Sequence, residues 1–178
     1  PFSRDDIHDI FMDMLNARNY KGFKSVDSSV SFEYTGSVYD YFNECSNGKF
    51  QPEFDVVGPV KVNYSSLYPE QTTNSQEVFK AALQAIDGDI DFSRYDCDGD
   101  GEIDLLYFIV SGAGSNYSGN NNKLLWPHAT VMTGVSLDGV KASSMACSTE
   151  LYGLASTKVI DGIGVICHEF SHVLGLPD

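Results

Sequence analysis

His168-Glu169-Phe170-Ser171-His172-Val173-Leu174-Gly175-Leu176-Pro177-Asp178 is the stretch from which the rest of this sequence is best read. It continues an apolar stripe at helical spacing, Ile160, Ile163, Cys167, Phe170 and Leu174, for which Ser156 or Thr157 is the expected N-cap and Gly175 the stop. Residues four apart share a helix face, so the imidazoles of His168 and His172 can reach one cation at about 2.0–2.1 Å. Glu169 projects beside that point, where it is placed to take a proton from a water at the metal instead of binding the metal. Zinc lowers the pKa of such a water to about 7, which makes hydrolysis of a polarised peptide carbonyl feasible at neutral pH.

Gly175 permits a sharp turn, after which Asp178 can swing back beneath the metal as a third ligand. This is the extended zincin pattern H-E-x-x-H-x-x-G-x-x-H with Asp in the last place, and a carboxylate oxygen is an acceptable zinc ligand. For Asp178 the alternative is a helix C-cap or a supporting carboxylate, with the third ligand further downstream. For the histidines the alternative is a solvated or core-satisfied pair. Against that, the chain has 4 histidines, and two of them stand at the required spacing with Glu169 between them.

A second constellation lies upstream. Asp96, Asp98, Asp100 and Asp104 occupy positions 1, 3, 5 and 9 of a calcium loop, with Gly101 at the sharp turn and Glu102 where a backbone carbonyl usually ligates. The bidentate Glu of an EF-hand is replaced by Tyr107, inside an expected strand, so the frame is not an EF-hand; Asp89 or Asp91 could supply the missing ligand. The alternative is a solvated Asp/Gly turn. Alternating carboxylates repel one another unless a cation sits between them, which favours calcium.

Composition agrees with one globular domain: 178 residues, 42% hydrophobic and 20% charged. The net charge of −14 makes phosphate backbones and anionic membranes poor partners, so no nucleic-acid partner is expected. No apolar run approaches the roughly 20 residues that span a bilayer. Cys45, Cys97, Cys147 and Cys167 form no C-x-x-C pair; one or two disulfides are compatible with their spacing, and Cys167 reads as a buried small hydrophobe. His128, after Trp126-Pro127, and Glu150, in an expected loop, are weaker candidates for the site. Asn63-Tyr64-Ser65 and Asn116-Tyr117-Ser118 match a glycosylation sequon.

Along the chain, Ser3 and Asp6 stand at capping-box spacing before a helix running to Asn19-Tyr20, and Ser37 and Asp40 repeat the signal before a helix to Cys45. Residues 54–57 and 60–62 read as strands, and Ser75 as the cap of a helix ending near Ile86. Leu105 to Val110 reads as a strand covered on both faces, followed by a loop over residues 111–122. Thr130 to Val135, as a sheet edge able to align a peptide, and Val140 to Cys147 read as strands joined at Asp138-Gly139. The order implies an α/β or α+β domain with a partly parallel, twisted sheet.

Gly36-Ser37-Val38-Tyr39-Asp40-Tyr41-Phe42, Ser46-Asn47-Gly48-Lys49-Phe50, Phe54-Asp55-Val56-Val57-Gly58-Pro59-Val60, residues 95–104, Trp126-Pro127-His128 and the last helix resemble, in that order, the immune inhibitor A-type zinc metallopeptidases. The resemblance covers nearly the whole chain. It implies bacterial endopeptidases, secreted or surface-exposed and made as precursors, with protein or peptide substrates. It implies His168, His172 and Asp178 on zinc, Glu169 as general base, and calcium at the loop from Asp96 to Asp104. It also implies a metzincin-like upper subdomain, with a twisted, mostly parallel sheet and the active-site helix at its C-terminus. Family domains begin with a strand before the first helix and continue into a lower subdomain with a Met-containing turn; here Pro1 nearly opens that helix, and no Met follows Met145. Residues 1–178 are therefore expected to be a partial catalytic domain, beginning inside a longer precursor. Its lower subdomain and propeptide are then partners, and full activity is not expected of the segment alone. Two rivals are a zinc hydrolase acting on a non-peptide amide, and a calcium-stabilised binding module with a vestigial helix. The intact Glu169 speaks against the second.

Overall fold

A computed structural model of the chain describes residues 1–22, 34–62, 73–117, 124–153 and 159–178. Ile7, Ile10, Phe11, Met14 and Leu15 recur at helical spacing and form the buried face of α1 (Ile7–Asn16). The expected capping box at Ser3 does not form, because both partners are taken. The Asp6 carboxylate receives Arg4 Nε and Nη2 at 2.6 and 2.8 Å, and the Ser3 N–H donates to Glu150 at 2.7 Å. The helix accordingly starts after Asp6 and ends before Asn19-Tyr20.

β1 (Lys21–Gly22) pairs antiparallel with β2 (Tyr34–Thr35). In α2 (Val38–Cys45) the expected capping box is present: Asp40 N–H donates to Ser37 Oγ and Ser37 N–H to the Asp40 carboxylate, both at 3.0 Å. That carboxylate also accepts the N–H groups of Asn19 and Tyr20, which ties the end of α1 to the start of α2. Burial pushes its pKa up, but three backbone donors and the Ser37 hydroxyl together outweigh that and hold it below the usual value.

Residues 54–57 and 60–62 are not strands, contrary to the pattern of their apolar residues. Pro52 and Pro59 lack an N–H, and side chains of α1 take the backbone groups between them. Asn16 Oδ1 accepts the Phe54 N–H at 2.8 Å, Asn16 Nδ2 donates to the Phe54 carbonyl at 3.0 Å, and His8 Nε2 donates to the Val56 carbonyl at 3.1 Å.

α3 (Thr73–Ile86) begins two residues before the expected Ser75 cap, and a 3₁₀ turn covers Phe92–Tyr95. The remaining elements are β3 (Glu102–Ile103), β4 (Leu106–Ala113), β5 (His128–Val131), β6 (Ser136–Leu137), β7 (Val140–Ala142), β8 (Ser144–Tyr152), β9 (Val159–Ile160) and α4 (Ile163–Val173). The expected mostly parallel sheet is corrected to two mixed sheets. In one, β8 pairs parallel with β4 and antiparallel with β5 and β9; in the other, β7 pairs parallel with β3 and antiparallel with β6. Asp138 and Gly139, both at positive φ, make the tight turn between β6 and β7 as expected.

Several strand bounds also move. β4 runs on through Ser111 to Ala113, with a register irregularity after Val110. The expected strand at residues 130–135 is β5, which starts two residues and ends four residues upstream, and residues 140–147 divide between β7 and β8. Ile160 belongs to β9, and Gly162 is the N-cap of α4, whereas the expected caps Ser156 and Thr157 lie outside the described residues.

The covered strand is borne out, since β4 divides two cores. Tyr107 and Ile109 pack with α1, α2 and α4, while Leu106, Phe108 and Val110 face the core of Phe79, Leu83, Phe92 and Met145. Phe108 stacks on Phe79 of α3 with ring centroids 4.3 Å apart. On the other side, Phe42, Phe50 and Phe54 surround Phe170 of α4 at 4.8, 6.0 and 5.7 Å. Phe170 lies two residues from both His168 and His172, roughly 200° around the helix from each. Burying its ring is worth about 1.5–3 kcal/mol, and doing so turns the two histidines outward.

Candidate metal centre

α4 carries the donors. The Nε2 atoms of His168 and His172 stand 3.2 Å apart, and Asp178 Oδ1 lies 3.4 Å from the first and 3.2 Å from the second. Ligands about 2.05 Å from a tetrahedral zinc are about 3.3 Å from one another, so this triangle has the size that zinc requires. Gly175, at φ +85°, makes the turn that returns the chain. The Leu176 carbonyl accepts the His172 Nδ1–H at 2.9 Å, which sets the tautomer in which Nε2 is unprotonated and able to bind a metal. Asp178 is exposed, and no C-cap hydrogen bond of α4 involves it.

Glu169 points inward from the same helix and is 6% exposed. Its carboxylate, His168 and His172 bring potential ligand atoms within 4.8 Å of one another. Burial raises its pKa above the usual carboxylate value, and the neighbouring imidazoles hold the rise back. A carboxylate held closer to neutrality is better matched to taking and returning a proton.

The opposite wall of the cleft is Trp126, Pro127, His128 and Ala129. His128, a weak candidate from sequence, thus faces the centre. Its Nδ1–H donates to the Trp126 carbonyl at 2.8 Å, and Cys147 Sγ is 3.4 Å from the same nitrogen. Asn116 also lines the cleft, with Oδ1 buried, so a glycan on it would stand in the cleft. Ser118 of that sequon, and the whole of Asn63-Tyr64-Ser65, lie outside the described residues. Glu150 is in neither a loop nor the site. It is buried in β8, accepting the Gly112 and Ser3 N–H groups, and sequence offered no sign of these distant partners.

Of the five expected calcium ligands, Asp96, Asp98 and Asp100 come together, with carboxylate oxygens within 4.8 Å of one another. The Asp96 carboxylate accepts the N–H groups of Gly99, Asp100 and Gly101 at 2.8–3.0 Å. Glu102 opens β3, in register with Lys141, and Asp104 accepts the Cys97 N–H at 3.0 Å. Asp91 is bound to Ser93 instead. All four cysteines are free thiols; burial pushes Cys147 and Cys167 up to about 12, so both stay protonated at neutral pH.

A helix-borne donor triangle beside a buried carboxylate, in a cleft walled by a sheet edge, defines a hydrolase domain of the metallopeptidase kind. The model of the immune inhibitor A peptidase M6 catalytic domain matches residues 3–178, and the chain belongs to this family. Peptide-bond hydrolysis is therefore its coarse activity, and proteins or peptides are its substrates. No curated protein and no solved structure matches the chain. Among the described residues, no helix is long and apolar enough to cross a membrane.

Proposed function

We propose that the chain is the catalytic segment of a secreted or surface-exposed bacterial zinc endopeptidase, in which His168, His172 and Asp178 hold the metal and Glu169 is the general base. The observation that carries this reading is the convergence of two imidazole nitrogens and one carboxylate oxygen at 3.2–3.4 Å. Zinc held there would supply a Lewis acid that polarises the scissile carbonyl and acidifies the attacking water. Glu169 takes the proton of that water and returns it to the leaving amine. Leu176 holds the His172 ring in the ligating tautomer throughout.

β5 is the substrate-aligning edge in this reading. It pairs with β8 along one side and lines the cleft, so an extended peptide can add to its other side. The loop from Asp96 to Asp104 holds calcium, with Asp96, Asp98 and Asp100 as the carboxylate ligands. This would pin the entry to β4.

Metal content and casein hydrolysis, measured on the full-length protein and on its Glu169→Ala variant, test the reading. Both proteins should hold about one zinc, and hydrolysis should vanish in the variant. A wild type without zinc, or an active variant, overturns it.

A further inference from the structure

Trp126 is the chain's single tryptophan. Half of its surface, 50%, is open to solvent, in the same cleft as His168, Glu169 and His172. An indole at this exposure forgoes much of the stabilisation that its burial would provide. Looseness is not the reason. The preceding Leu125 is buried in the second core, and its carbonyl accepts the Ser115 N–H at 2.8 Å. The Trp126 carbonyl accepts the His128 Nδ1–H at 2.8 Å, Pro127 is buried, and His128 is already part of β5. The indole is held out on a segment fixed at both ends.

Across the cleft is Gly164, in the first turn of α4 and exposed. A Cβ placed on it would meet no atom within 4 Å. Gly164 precedes His168 by four residues, so it shares the metal-facing side of the helix and lies one turn, about 5.4 Å, from the first donor. Val165, Pro127 and Ala129 complete the apolar lining, whereas the charged groups of the cleft, Glu169 and Asp178, belong to the metal centre.

We propose that Trp126 and Gly164 are the two walls of a subsite for a large apolar side chain beside the scissile bond. The proposal rests on the peptidase reading above. A peptide lying along β5 with its carbonyl at the donors would place a neighbouring side chain between the indole and the bare turn of α4. Because the backbone that carries the indole is tied on both sides, little main-chain entropy is lost on binding. The domain is thus an endopeptidase selective for Phe, Tyr, Leu or Met next to the cleaved bond.

The test uses peptides in which each residue flanking the scissile bond is varied in turn among Ala, Leu, Phe and Lys. Wild type should favour a large apolar residue over Ala at one of the two positions by at least about tenfold in kcat/KM, and Trp126→Ala and Gly164→Leu should each shrink that ratio to below about threefold. Gly164→Leu enters open space within a helix, so its fold should survive, as circular dichroism will check. In Glu169→Ala, Trp126 emission should shift on adding the Phe peptide and not on adding the Ala peptide. An unchanged preference in both variants, an equal loss on every peptide, or a wild-type preference for Lys would overturn the proposal. If the full-length wild-type protein cleaves no peptide at all, the peptidase reading fails, and the emission titration still decides the subsite.

Discussion

The Ser3 N–H donates to Glu150 Oε1 at 2.7 Å, and the Ser3 hydroxyl reaches the same oxygen, so the first residues of the chain are tied to the C-terminal part of β8. The other oxygen, Oε2, accepts the Gly112 N–H at 3.0 Å, at the irregularity of β4. Glu150 is 1% exposed, so its loss empties a buried acceptor position and takes the partner from the partly buried Gly112 N–H, whereas Ser3 is exposed and can turn to water. Glu150→Ala should cost about 2–4 kcal/mol in urea unfolding. Glu150→Gln should not fully rescue it, because one end of the amide is itself a donor and must face an N–H. An Ala variant with wild-type stability would mean that the tie contributes nothing.

Asp161 precedes the N-cap of α4, accepting the Gly162 N–H at 2.9 Å, with the Tyr117 hydroxyl at 3.5 Å. Burial raises its pKa from 3.8 to about 6, although both hydrogen bonds work the other way. The folded chain therefore binds this proton more tightly than the unfolded one. Stability falls as pH rises between those two values, and the penalty is complete above about pH 6. Asp161→Asn keeps an oxygen for Gly162 and removes the charge. It should raise stability at pH 7.5 by on the order of 2 kcal/mol and leave it unchanged near pH 4. A loss of stability at pH 7.5 would show that the charged hydrogen bonds outweigh desolvation.

The parts of this fold legible in the sequence are those whose causes are local. The capping box of Ser37 and Asp40, the positive-φ turn at Asp138-Gly139, and the facing of His168 and His172 each depend on residues within a few positions. The same capping signal at Ser3 and Asp6 failed because Glu150, far along the chain, took Ser3. Phe54 to Val57 looked like a strand because its pattern is apolar, but its backbone groups are taken by Asn16 and His8 of α1. Glu150 read as a loop residue because nothing near it in sequence announces a buried acceptor. The triangle of donors was legible. The wall opposite it, Trp126 to Ala129, was not, because only strand pairing with β8 brings it there.

The three carboxylates of Asp96, Asp98 and Asp100 lie together without a basic partner among the described contacts. If calcium neutralises them, adding calcium to calcium-free protein at constant zinc should raise the Tm. At calcium one hundred times its Kd the gain is about 2.7 kcal/mol. The Asp98→Asn, Asp100→Asn double variant should show no rise and should keep its zinc. A wild-type Tm that is indifferent to calcium would reduce this loop to a turn closed by Asp96 accepting backbone N–H groups.

Asp178 is the donor whose role sequence left open, and it can be separated from the others. Its oxygen is 3.2–3.4 Å from both imidazole nitrogens, but the tautomer of His172 is set by Leu176 and not by Asp178. Asp178→Ala therefore removes one donor and leaves the orientation of His172 intact. A supporting carboxylate is worth about 10–100-fold in metal affinity. Loss of a direct ligand should exceed that range, measured by zinc competition with a chromophoric chelator. Asp178→Glu should recover part of the affinity if the oxygen itself binds zinc. A fall of less than about tenfold in the Ala variant would make Asp178 a residue behind the ligands, and the third donor would then have to be sought elsewhere.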